Sequence, residues 1–80
     1  MIQLSLKAAR INAGLKSTEA ADLADIHHQT LSKYEKDSSN ISVSLLEKLC
    51  SIYQIPEDII FLGKEYDLIR TITLKRKQNN

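Results

Sequence analysis

Ala20, Ala21, Leu23 and Ala24 place four apolar, mostly small side chains within five consecutive positions of an 80-residue chain. Small side chains let neighbouring backbones come close, so this stretch reads as a short helix built for tight packing. Ser17 or Thr18 is expected to open it, Glu19 and Asp22 put negative charge in its first turns, and it should end near Asp25. Only Asp25 to His28 then separates it from another helical segment, expected from His28 to Lys36. On a wheel of 100° per residue, His28, Gln29, Ser32, Lys33 and Lys36 fall in one arc of about 140°. That arc is wholly polar and carries no acid. Thr30, Leu31, Tyr34 and Glu35 take the opposite side, with Leu31 and Tyr34 as core candidates.

The flanking segments are also helical in pattern. Leu4, Ala8, Ile11 and Leu15 recur at spacings of three and four, predicting a first helix over about residues 2–13 with Gly14 as its left-handed cap. Asp37, Ser38, Ser39 and Asn40 form a turn cluster. Ser42 or Ser44 caps a fourth helix, and Ser44 with Glu47 fits a capping box. Its apolar stripe is Leu45, Leu46, Leu49, Cys50 and Tyr53. Pro56 suits the first position of a fifth helix, with Glu57 and Asp58 in its first turn and Gly63 at its end. Beyond Gly63 two patterns compete. Tyr66, Leu68, Ile72 and Leu74 share a strand parity, whereas Leu68, Ile69 and Ile72 suit a helix. The expected fold is all-α with five helices and a short C-terminal extension.

Composition removes whole classes of function. Eighty residues make one domain. A single Cys excludes a disulfide framework and a zinc site built on Cys pairs, and its place on an apolar stripe makes Cys50 a core residue. His27 and His28 are adjacent, so their side chains point about 100° apart on a helix, and no metal-binding spacing exists. No paired carboxylates, nucleophile elbow or phosphate loop appears, so no enzyme is expected. Lys7 and Arg10 interrupt the mildly apolar N-terminus, and no apolar run exceeds four residues, which leaves neither an export signal nor a membrane span and predicts a cytoplasmic protein. The net charge of +1 is low for a nucleic-acid binder, but its distribution is uneven. Residues 64–80 carry five bases against two acids, and the exposed arc of the third helix carries Lys33 and Lys36.

These residues bring a resemblance into view. Gly14-Leu15, Glu19, Ala21, Ile26, the run from Thr30 to Glu35, Asn40-Ile41-Ser42, Leu46, Leu49, Ile55 and Asp58 stand at the spacing of the Cro/CI (Xre-type) helix-turn-helix family, the lambda-repressor-like DNA-binding domains. The stretch from Leu6 to Phe61 resembles that family without a gap. It departs from the usual pattern at Ser17 (usually Gln), Asp25 (Gly), His27 (Ser or Thr), Asp37 (Gly) and Ile41 (Pro).

The resemblance implies a sequence-specific transcriptional regulator, expected to be a repressor, with the third helix in the major groove of double-stranded DNA. His28, Gln29, Ser32 and Lys33 are the expected base contacts. Ser17, Thr18, Lys36, Ser39 and Asn40 are the expected phosphate contacts. Arg10 and Glu35 are implied to form a salt bridge that fixes the angle of the third helix. A homodimer on a palindromic operator is expected, because one module buries too little surface for tight specific binding. Residues 1–63 form the expected DNA-binding domain. Residues 64–80 are the expected extension, serving as a phosphate-contacting arm or a dimer arm with a frayed end. A rival reading keeps the fold but makes the chain an antitoxin-like or anti-repressor module whose partner is another protein.

Overall fold

The computed structural model describes residues 3–64, 67 and 68. Among residues 3–64, four α-helices follow one another: α1 (Leu6–Asn12), α2 (Ser17–Ala24), α3 (His28–Lys36) and α4 (Val43–Tyr53). A single 3-10 turn, Glu57–Ile59, stands where a fifth helix was expected. The helix is cut short because Ile60 leaves helical geometry to form a parallel bridge with Leu4. Leu4 N–H donates to the Ile59 carbonyl at 2.8 Å, and Phe61 N–H donates to the Leu4 carbonyl at 2.9 Å.

That same bridge delays the start of α1. The hydroxyl of Ser5 caps the helix by accepting from Ala8 N–H at 3.0 Å. The buried face of α1 is Leu6, Ala9 and Arg10, whereas Ile11 is 59% exposed. The expected stripe through Leu4, Ala8 and Ile11 is therefore displaced, because it left out the one charged residue that goes inside.

Helices α1, α2 and α4 end alike. In each, the N–H of the residue after the left-handed one bonds back five residues: Leu15 to Arg10, Ile26 to Ala21 and Ile55 to Cys50. The preceding residue adopts a left-handed backbone, as the Schellman motif requires. Gly14 does so with φ +75°, but Asp25 (φ 58°) and Gln54 (φ 55°) pay the strain of a Cβ there. Asp37, by contrast, is extended at φ −150°, so the position after α3 needs no glycine.

All three buried residues of α2 are alanines, and this lets α3 and α4 approach it closely. Leu31 from α3, Leu46, Leu49, Cys50 and Tyr53 from α4, and Ile60 complete the core with α1. Lys48 of α4 reaches the free carbonyl of Ala24 at 3.2 Å, favourable charge at a helix C-terminus. Ser42 caps α4 by accepting from Leu45 N–H at 3.1 Å, so the expected Ser44–Glu47 box does not form. Neither Ser17 nor Thr18 caps α2. Its cap position is Lys16, whose N–H donates to the Glu19 carboxylate at 2.9 Å.

After Gly63, Lys64 forms an antiparallel bridge with Asp37, and its carbonyl accepts from Asp67 N–H and Leu68 N–H. The backbone is helical at residues 67 and 68, and Leu68 is buried. The remaining strand or helix alternatives, over Tyr66, Ile69, Ile72 and Leu74, lie outside the described residues.

Candidate functional site

Helix α3 begins and ends where its pattern of polarity places it. Leu31 and Glu35 face the core, Tyr34 is half-buried, and His28, Gln29, Lys33 and Lys36 are exposed. Ser32 is half-buried between them. The N-cap position, His27, makes no side-chain cap bond, which is what replacing a Ser or Thr there entails. Lys33 extends its ammonium over the ring of Tyr34, 5.5 Å from the centroid. This contact holds a charged tip beside the exposed arc.

A buried ion pair joins α1 to α3. Arg10 Nε donates to Glu35 Oε2 at 2.7 Å, and its second amino group donates to Oε1 at 3.3 Å. The remaining amino group donates to the Leu15 carbonyl at 2.9 Å. One guanidinium thus ties together α1, the turn before α2, and α3. Both side chains are about nine-tenths buried. The hydrogen bond to Glu35 outweighs the cost of burial and raises the Arg10 pKa above its ordinary value. The pairing implied by the resemblance is present in the structure.

The pair forms the floor of a polar cleft of about 350 Å³. Ser17 at the start of α2, Ser32 and Lys36 on α3, and Lys7 on α1 complete its walls. The cleft therefore brings together Ser17 and Lys36 from the expected phosphate group and Ser32 from the expected base group. Lys7 is the residue that sequence reasoning missed. Its exposed position one turn before Arg10 was the available signal, since residues three apart share a helix face.

Thr18 is exposed on α2 and does not line this cleft. Ser39 and Asn40 are exposed in the turn that follows α3. Ser39 is already engaged: its N–H and hydroxyl donate to Asp37 Oδ1 at 3.0 and 2.7 Å. Those two bonds hold the Asp37 carboxyl below its usual pKa. Neighbouring Ser38 is buried, with its hydroxyl bonded to Phe61 and Gly63 backbone groups. It clasps the end of α3 to the segment after the core.

Cys50 is buried, and desolvation pushes its thiol pKa up, which keeps it protonated and unreactive. Among the described residues no three His, Cys, Asp or Glu side chains gather as a metal site, and no helix is long and apolar enough to cross a membrane.

A close-packed α2, a left-handed turn at Asp25 and an outward α3 held by an internal ion pair define a helix-turn-helix. The chain belongs to the helix-turn-helix family of the Cro/CI (Xre) type, whose pattern matches residues 6–60. It is similar to the HTH-type transcriptional regulator ImmR of Bacillus subtilis (strain 168), with 38% identity over 60 residues. The match covers 75% of this chain and 46% of ImmR, so the chain spans about half the length of that relative.

Proposed function

We propose that this chain is a sequence-specific DNA-binding module of a transcriptional regulator, acting in the cytoplasm without chemistry of its own. The observation that carries the reading is the exposed arc of α3, acid-free and projected by the Arg10–Glu35 tie from a helix-turn-helix frame. An α-helix fits the major groove, and an arc without carboxylates meets the phosphate field unopposed.

In this reading His28, Gln29, Ser32 and Lys33 address base edges. Gln29 is suited to a bidentate pair with adenine, and Lys33 to guanine acceptors. Ser17, Lys36 and Lys7 hold one phosphate at the polar cleft, while Thr18, Ser39 and Asn40 flank the neighbouring backbone. Residues 1–63 form the binding unit and residues 64–80 an extension that serves dimerisation. A homodimer occupies a two-fold operator, and occlusion of a promoter makes the chain a repressor.

Selection of bound duplexes from a random-sequence pool tests this reading. A palindrome is the expected product. Substituting Gln29→Ala should then cost about 1–3 kcal/mol at one base position and relax preference there. No enrichment, together with no salt-dependent binding to random duplex, would overturn the reading in favour of a protein-binding module.

A further inference from the structure

His27 and His28 are the only histidines of the chain, and both stand exposed where α3 begins. We propose that DNA binding by this chain is proton-linked: His28, and to a smaller degree His27, take up protons in the complex, so affinity rises as pH falls through neutrality. The inference rests on the DNA-binding reading above and names how that site is regulated.

His28 shares its arc with Gln29, Ser32, Lys33 and Lys36, the face that meets the polyanion. An imidazole ordinarily takes its second proton near pH 6.5, just below neutrality. Opposite charge brought within a few ångströms favours the charged form and lifts that value by on the order of one or more. A groove flanked by two phosphate backbones therefore favours the cation of His28 in the complex. The amide ends at the start of α3 oppose the cation, but they do so equally in the free and bound states and so drop out of the linkage.

His27 differs in its surroundings. It lines a shallow cleft of about 280 Å³ with Asp22, Asp25 and Ile26. It thus stands beside two carboxylates and off the acid-free arc that meets the DNA. The other charged groups near α3 lie elsewhere. Lys7, Arg10 and Glu35 line the cleft beside Ser32 and Lys36, farther along the helix. Glu19 bonds to Lys16 N–H at the far end of α2, and Lys48 is held at the Ala24 carbonyl.

The effect is large relative to the protein's own charge. Protonating both histidines takes the formal net charge from +1 to +3. In a chain with little bulk charge, two further cations at the leading end of α3 add to Lys7, Lys33 and Lys36 in the electrostatic part of binding.

The test is fluorescence anisotropy with the full chain and a labelled random-sequence duplex of about 30 base pairs, at constant low salt, across about pH 5.5 to 8.5. The wild type, His27→Gln, His28→Gln and the double variant are compared, with thermal melts at each pH to confirm folding. The dissociation constant of the wild type should fall about five- to tenfold from pH 8 to pH 6, an average uptake of about 0.35–0.5 proton per complex over that range. His28→Gln should remove most of that slope, His27→Gln little, and the double variant should be flat whatever its absolute affinity. DNA binding with a pH-independent constant, or a slope that survives in the double variant, overturns the proton linkage and leaves the DNA-binding reading intact. Absence of binding at every pH overturns both.

Discussion

Replacing Arg10 by methionine keeps much of the side-chain volume but removes the cation from beneath α3. Glu35 would remain about nine-tenths buried, without the two bonds at 2.7 and 3.3 Å that satisfy it. Breaking one partner of such a pair costs about 3–5 kcal/mol, most of it the uncompensated buried charge. The Leu15 carbonyl also loses its donor. A chain of this length has a total stability of about 4–12 kcal/mol, so Arg10→Met should lose about a quarter of it or more. At roughly 4–8 °C per kcal/mol for a domain this small, the melting temperature should fall by about 15 °C or more. Adding Glu35→Met to the same chain should recover much of the loss, because no charge is then stranded. Urea unfolding of the wild type, both single variants and the double variant, followed by circular dichroism, gives the coupling energy directly. A coupling of at least 2 kcal/mol is expected. If Arg10→Met costs less than about 1 kcal/mol, or the double variant is as unstable as the two losses added, the ion pair does not hold α3 and the argument fails.

Three further outcomes follow from backbone strain, capping and burial. Asp25→Gly and Gln54→Gly relieve left-handed strain and should each raise stability by about 0.5–1 kcal/mol in urea unfolding, Gln54 more than Asp25, since aspartate tolerates this region better. Ser42→Ala removes the acceptor for Leu45 N–H and should cost about 1 kcal/mol by the same assay. Tyr53 Oη is buried with no hydrogen-bond partner among the described residues, so Tyr53→Phe should be neutral or slightly stabilising. Burial, reinforced by the charge of Glu35, pushes the Tyr53 pKa up to about 12, so its contribution is intact below pH 10 and declines as pH rises through that window. Tyr53→Phe should flatten the alkaline decline in melting temperature.

Legibility in the sequence tracked how local each feature is. The bounds of α3 and its exposed arc could be read because a nine-residue helix with one acid-free face announces its own orientation. The end of α2 at Asp25 was equally readable, since its run of small apolar residues stops there. The apolar stripe misplaced the face of α1 because Arg10 looks polar yet goes inside, and its reason for doing so, Glu35, stands 25 residues away and was legible only through the family resemblance. The fifth helix failed for a related cause. Pro56, Glu57 and Asp58 favour a helix start, but the Leu4–Ile60 pairing pulls the backbone straight after one turn. Lys7 entered the polar cleft through the same packing of α1 against α3, which no local pattern of residues encodes.

The Leu4–Ile60 bridge also orders events during synthesis. Its two backbone bonds join Leu4 to Ile59 and Phe61, nearly the whole span of the helical unit. Helices α2 and α3 can dock as soon as both have left the ribosome, because their contacts are close in sequence. The segment before α1 has no such early partner. Its amide and carbonyl must stay hydrated until Phe61 emerges, and closing so long a loop is entropically slow compared with forming the helix pair. The helix pair can thus assemble before the backbone latch, which waits for Phe61.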